Sequence, residues 1–132
     1  MNIFACEQYK IKKFNALNTT EVDAQGNAST GINATVRDIT TKVCAWKGYI
    51  FHNNDNAARW VTIYLKPAAD VVLGTTVPDF TILIGANASV TWDFRNPIIS
   101  EKGLSIAAAT TETGTSGPTA AVTGAVLYAE RG

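Results

Sequence analysis

The chain has 132 residues, enough for one domain that buries a core without disulfide or metal support. Its apolar content of 46% excludes a disordered chain, and its 11 basic residues balance 11 acidic ones, so it has no electrostatic footprint for nucleic acid or an anionic membrane. Charged residues make up only 17%, below the usual proportion of about a quarter, so neutral polar side chains must cover the surface. Such a surface is easier to order against another protein, which favours assembly.

The start of the chain predicts neither export nor membrane insertion. The segment MNIFACEQYKIKKF has no apolar run of signal-peptide length, and the sequence contains no stretch of about 18 uninterrupted apolar residues. We therefore expect the protein to be made and used in a cytoplasm. Cys6 and Cys44 form neither a CxxC pair nor a metal spacing, so we expect both to be reduced thiols.

Alternation of apolar and polar residues predicts strands along the chain, and no window of a dozen residues keeps helical spacing. In chain order the predicted strands are 10–17, 32–40, 44–52, 59–66, 80–84, 89–94, 104–110 and 121–130. In the fourth strand, Val61, Ile63 and Leu65 form an aliphatic face. Trp60 and Tyr64 lie on the opposite face of the same strand.

Two connections predict β-hairpins. Residues 53–56 (NNDN), which tolerate left-handed backbone and close turns, join the third strand to the fourth. Residues 85–88 (GANA) join the fifth strand to the sixth with a loop of hairpin length. The sixth strand is expected to end at 95–97 (RNP), because proline lacks the donor of the strand ladder and restricts the residue before it.

About eight strands at roughly 8 to 12 residue spacing predict an all-β fold, an antiparallel, jelly-roll-like β-sandwich, as a single domain over residues 1–132. Residues 1–17 could form an extended N-terminal arm of that domain. The last strand, 121–130, has almost no charge to protect an exposed sheet edge. It is therefore expected to be central in its sheet or to be used for assembly.

No residue pattern specifies catalysis. His52 is the single histidine, which excludes a two-histidine metal site, and the sequence indicates no nucleophile or orienting partner for it. We expect a surface histidine at a strand end. Four acidic residues of the second half have no spacing that specifies a catalytic pair, and the glycines form no phosphate-binding motif. These acids are Asp70, Asp79, Asp93 and Glu101. The prediction is a protein with no enzymatic activity, cofactor or metal.

Aromatic residues and the last strand supply the candidate functional surface. Exposed aromatic side chains on a β-sandwich stack on sugars or pack at protein interfaces, and the second use is the more general. Trp60 and Tyr64, opposite the aliphatic face, predict a second apolar surface. The interface residues predicted in the last strand are Val122, Val126 and Tyr128.

A succession of strand and turn patterns runs from YIFHNNDNAARWVTIYLK through GTTVPDF, IGANA and GLSIAAATT to AVLYAE. This succession, from residue 45 to residue 130, resembles that of small virion structural proteins of tailed bacteriophages. The resemblance implies a β-sandwich without enzymatic activity, a capsid cement or decoration protein that binds the major capsid protein or other virion subunits as a homo-oligomer, with a trimer favoured. It also implies synthesis in the host bacterial cytoplasm and a final place in the virion. A neck or tail component is the alternative, and a carbohydrate-binding β-sandwich module is the alternative of a different class.

Overall fold

The computed structural model describes residues 9–14 and 31–131, which form two antiparallel four-stranded sheets packed face to face. The strands are β1 (Lys10–Phe14), β2 (Arg37–Thr40), β3 (Cys44–His52), β4 (Arg59–Tyr64), β5 (Phe80–Ile84), β6 (Ser89–Ser100), β7 (Leu104–Ala109) and β8 (Thr123–Glu130). A 3₁₀ turn, Ala68–Asp70, lies between β4 and β5. The prediction of an all-β sandwich is confirmed, and each predicted strand overlaps one of these eight.

The strand order makes this sandwich a jelly roll. Sheet 1 has the order β1-β8-β3-β6, and sheet 2 has the order β2-β7-β4-β5. Strands β1 and β8, β2 and β7, β3 and β6, and β4 and β5 are antiparallel neighbours, as in one long hairpin of eight strands rolled into two layers. Strand β8 lies between β1 and β3 and is therefore central, one of the two places predicted for a strand with so little charge.

The core lies between the two sheets and continues to one side of the sandwich. Val61 and Ile63 of β4 are fully buried there, as their alternation predicts. At the open side, between the edge strands β5 and β6, aromatic rings extend the core. The ring centroid of Trp46 lies 4.7 Å from that of Phe94 and 5.3 Å from that of Phe80, both in edge-to-face geometry.

The two predicted hairpins are wrong. Strands β3 and β4 lie in different sheets, and so do β5 and β6, so both connections cross from one layer to the other. The side chain of Asn53 ties the two crossings together, because its Nδ2 donates to the carbonyl oxygens of Ile84 (3.1 Å) and Gly85 (3.1 Å). Alternation shows which face of a strand is apolar but not which strand it pairs with, so a crossing and a hairpin have the same sequence pattern.

Asp55 joins a third segment to these crossings. Its carboxylate accepts hydrogen bonds from Arg59 Nε (2.7 Å) and from the backbone N–H groups of Thr119 (2.9 Å) and Ala120 (3.2 Å). Desolvation opposes ionisation of this buried carboxyl, but the hydrogen bonds outweigh it and lower the pKa of Asp55 below its ordinary value. The connection between β7 and β8 is thereby fixed to the turn that follows β3.

The end of β6 and the N-terminal segment can be compared with the sequence predictions. The expected end of the sixth strand at 95–97 is wrong, because β6 continues to Ser100. Pro97 lies on an edge strand, in the irregular stretch between the paired residues Asp93 and Ile98, where a missing N–H is tolerated. The predicted N-terminal arm, residues 1–17, lies mostly outside the described residues, and its described part, β1, pairs with β8 along its whole length.

Candidate interaction surface

Exposed apolar side chains gather on sheet 1. In the described ranges 9–14 and 31–131, eight large hydrophobic side chains are exposed, and five of them lie in sheet 1 or directly before it. These five are Tyr9, Ile11, Ile50, Trp92 and Ile99. Two of them, Ile11 and Ile50, line a groove of about 340 Å³ together with Leu127. We call Ile11, Ile50 and Leu127 the outer patch. Trp92 lies opposite Tyr49 and has the core-facing parity of Phe94, so its side chain lies on the other face of sheet 1, at the open side between β5 and β6.

Small residues beside the large ones create this groove. Ile50 of β3 lies opposite Ala125 of β8, and Gly48 lies opposite Leu127. A Cβ atom on Gly48 would lie 2.4 Å from the carbonyl oxygen of Trp92, closer than real Cβ atoms approach, so this position requires glycine. The close approach of β3 to β6 thus leaves a gap between the large side chains.

A bulge in β3 turns Ile50 outward. Cys44 and Trp46 face the core, so strict alternation would place Ile50 in the core as well. The register shifts between Trp46 and Gly48, and it is Phe51 that is fully buried. The indole Nε1 of Trp46 donates a hydrogen bond to the carbonyl oxygen of Gly48 (3.1 Å) and so fixes the bulge. The face on which Ile50 lies therefore depends on one backbone irregularity.

A pair of opposite charges lies beside the outer patch. Lys47 Nζ lies 3.3 Å from Oδ1 of Asp93 and donates to the carbonyl oxygen of Phe94 at 2.6 Å. The ammonium group and the carboxylate therefore form a pair at the edge strand next to Trp92. An exposed ion pair of this kind contributes little affinity, so we expect binding at this surface to depend on burial of its apolar side chains.

Four of the five interface residues predicted from the sequence are buried inside the protein. Val122, Val126 and Tyr128 belong to the core between the sheets, and Tyr64 is 1% exposed. Trp60 is half-buried. The structure therefore corrects this residue assignment, because side chains that are packed within the monomer present little or no surface to a partner.

Long connections cover the face of sheet 2 on which Tyr64 lies. Ser105, directly opposite Tyr64, donates its hydroxyl hydrogen to the carbonyl oxygen of Lys66 (2.8 Å) in the β4–β5 connection. The β7–β8 connection lies against the β4–β5 connection, because a Cβ atom on Gly74 would be 2.6 Å from Cγ2 of Thr115. Packing of connections over a sheet face leaves no trace in strand alternation, so the sequence predicted an open apolar surface here.

The histidine and the described cysteine have local structural partners. His52 Nδ1 lies 2.8 Å from Ser89 Oγ, a contact that the sequence did not indicate, but the two residues are directly opposite in the β3–β6 register, which explains it. Cys44 is fully buried, and burial together with the Glu130 carboxylate raises its pKa to about 11, so the thiol stays protonated at neutral pH. Cys6 lies outside the described residues. Within residues 9–14 and 31–131, no three His, Cys, Asp or Glu side chains are grouped to hold a metal ion.

Comparisons with protein-family models, with curated proteins and with solved structures found no match. In the part of the chain that the structure describes, no helix has the length and apolar character needed to cross a membrane. The jelly-roll topology and the outer patch are therefore the structural basis for a functional proposal.

Proposed function

We propose that the protein is a structural component of a bacteriophage particle, of the capsid cement or decoration class, and that it binds and stabilises the coat-protein shell through the outer patch. Its role involves no catalytic step. Jelly-roll domains are common in viral capsids, and the strand and turn succession resembles that of virion structural proteins, so both support the proposal. A neck or tail component of the same kind of particle is the alternative location.

The proposal rests mainly on the outer patch, because the same fold occurs in proteins of many functions, whereas an exposed apolar surface indicates contact with a partner. Ile11 is 57% exposed and Ile50 51%. Fully burying a side chain of this size contributes about 1.5–3 kcal/mol, so covering the exposed half of each contributes about 1 kcal/mol. Contiguous exposed apolar surface of this kind is typical of a site of protein–protein contact.

The composition of the whole chain suits tight packing between subunits. Only 17% of the residues are charged, so few long, mobile side chains must be immobilised when a surface is covered. The net charge of zero means that neighbouring copies do not repel one another strongly. Both properties favour a protein that coats a shell in many copies.

Fractionation of purified particles tests the proposed location. Heads and tails are separated, and the chain is quantified in each fraction by mass spectrometry. The proposal expects the chain in heads. Its presence in tails alone would contradict the cement role and support the neck or tail alternative.

Heads that lack the protein test the role of the outer patch. The added wild-type chain should bind and raise the temperature at which the heads release their DNA. Ile50→Lys should weaken binding at least tenfold, about 1.4 kcal/mol, because the new charge would have to lose water in an apolar contact. The control Val77→Lys adds the same charge at a position that is 81% exposed in the β4–β5 connection, and it should bind like the wild type. Equal binding by both variants would contradict the outer patch as the contact surface.

A carbohydrate-binding module is the second candidate, because jelly-roll domains also occur in lectins and the aromatic side chain of Trp92 is 57% exposed. The aromatic platform predicted at Trp60 and Tyr64 does not serve this function, since Tyr64 is buried. Binding on a glycan array that is lost in Trp92→Ala would favour this candidate over the virion role. Wild-type protein that binds no glycan on the array would count against it.

A further inference from the structure

The edge strand β5 differs from the other three edges of the sandwich. The sheets end at β1 and β6 and at β2 and β5. Strand β1 carries three lysines, β2 carries an arginine and an aspartate, and β6 carries Pro97 with a shift in register. Charges, proline and bulges are the features by which proteins prevent edge-to-edge pairing. The sequence of β5, FTILI, has no charge and no proline, and its register with β4 is regular.

The backbone groups of Thr81 and Leu83 in β5 point away from the sheet. The N–H of Ala108 in β7 donates to the carbonyl oxygen of Asn33 (2.8 Å), on the side of β7 that is remote from β4. Backbone groups alternate in direction along an antiparallel ladder, so the N–H and C=O groups of Ala107, the residue before Ala108, point to β4 and bond to its opposite residue Thr62. The backbone groups of Thr62 therefore point to β7 and away from β5. Thr81, which lies opposite Thr62 in β5, consequently has its backbone groups directed away from β4. Leu83, two residues further along, points the same way. Strand β5 therefore presents two N–H and two C=O groups to its open edge.

An apolar cleft opens beside this edge. A space of about 370 Å³ lies between β5 and β6, and all of its lining residues except Thr81 are aromatic or aliphatic. Those residues are Trp46, Tyr49, Phe80, Ile82, Trp92 and Phe94. Phe80 and Ile82 are only partly buried against the core. A strand added at the β5 edge would cover this cleft and complete the burial of those two side chains.

We propose that β5 pairs with β5 of a second copy of this chain, antiparallel about a two-fold axis at Ile82. In this register Thr81 of each copy lies opposite the partner's Leu83, and their outward N–H and C=O groups form four hydrogen bonds. Phe80 lies opposite the partner's Ile84 on the side of the cleft. Strand β5 has no charged residue of its own, whereas β1 against itself would bring lysines together. The Glu112 carboxylate, which accepts a hydrogen bond from Thr81 Oγ1 (3.1 Å), is a charge beside this edge.

The pairing forms a weak dimer. Strand β5 has five residues, about 17 Å of backbone, so the contact buries less than the roughly 800 Å² per partner of a standard stable interface. The dimer therefore depends on concentration, and it forms most readily where many copies are held close together. It has two-fold symmetry and differs from the trimer that the family resemblance implies.

Sedimentation velocity of the full chain over a range of concentrations tests the pairing. The wild type should show a monomer–dimer equilibrium, and Leu83→Lys, at a position that is 52% exposed, should raise the dissociation constant at least tenfold. The control Val77→Lys, in the connection before β5, should associate like the wild type. A wild type that is monomeric at the highest concentration reached, a trimer, or equal association of Leu83→Lys would overturn the proposal.

Hydrogen exchange of the wild type gives a second readout that needs no variant. The amides of Thr81 and Leu83 should exchange more slowly as the concentration rises, while that of Ile82, which already points to β4, should not change. Exchange that is independent of concentration at all three amides would argue against the dimer. Ile50→Lys should leave the association unchanged, so the failure of β5 pairing and the failure of shell binding are separately visible.

Discussion

Replacing Trp46 with phenylalanine should destabilise the fold by about 2–5 kcal/mol. Trp46 is 1% exposed and lies within the aromatic cluster, so a smaller ring leaves a cavity that costs about 1–2 kcal/mol. The substitution also removes the indole N–H that donates to the carbonyl oxygen of Gly48 (3.1 Å). Loss of the donor to a buried acceptor costs a further 1–3 kcal/mol, about the same as the cavity.

Urea unfolding followed by far-ultraviolet circular dichroism measures this loss for Trp46→Phe. Trp92→Phe is the matched control, because Trp92 is 57% exposed and its replacement should change stability by no more than about 0.5 kcal/mol. The dependence of the unfolding free energy on urea should be the same in both variants, so that the midpoints compare directly. Equal midpoints for the two variants would refute the argument that Trp46 anchors both the aromatic cluster and the bulge.

Three further predictions concern the rest of the fold. Gly124→Ala should lower the free energy of unfolding, measured by thermal unfolding, by at least about 2 kcal/mol, because the φ of Gly124 is 144° and a Cβ there would lie 2.0 Å from a carbonyl oxygen of β3. The control Gly85→Ala, where the nearest contact of a Cβ is at 3.8 Å, should lower it by less than half as much. The pKa of Asp55 is lower in the folded state, so its ionisation stabilises the fold above about pH 4 and this stabilisation is lost as the pH falls through the folded pKa. Asp55→Asn should therefore lower Tm at neutral pH and weaken the dependence of Tm on acid, and an unchanged acid dependence would contradict this. In a Cys6→Ser background, the Cys44 thiol should react with Ellman's reagent only as the protein unfolds, and rapid reaction of the native protein would show that it is accessible.

Strand alternation predicted the fold class because it reports burial directly. Apolar residues at alternate positions predicted the eight strands and the inward face of β4. Val61 and Ile63 are such residues, and their side chains fill the core. The pairing of those strands could not be predicted in the same way. The two connections that look like hairpin turns are crossings between sheets, held by hydrogen bonds of Asn53 and Asp55 to segments that are distant in sequence.

The outer patch was not predicted, and two structural causes explain why. Ile50 has the parity of a core residue until the bulge next to Gly48 reverses the faces of β3. Tyr64 has the parity of a surface residue, but the long connections of sheet 2 cover it. The bulge and the covering connections depend on tertiary structure, which strand alternation does not report. Alternation therefore predicted Ile50 to be buried and Tyr64 to be exposed, and the structure shows the reverse.

Radical footprinting of the protein on the particle tests the central claim most directly. Hydroxyl radicals oxidise exposed side chains, and mass spectrometry quantifies the oxidation of Ile11 and Ile50 in the free chain and in the chain assembled on heads. Both side chains are more than half exposed in the free protein, at 57% and 51%. We predict that assembly reduces their oxidation several-fold while Val77, at 81% exposure in the free protein, is oxidised as before. Equal oxidation of Ile11 and Ile50 in the free and assembled chain would contradict the outer patch as the surface that meets the particle.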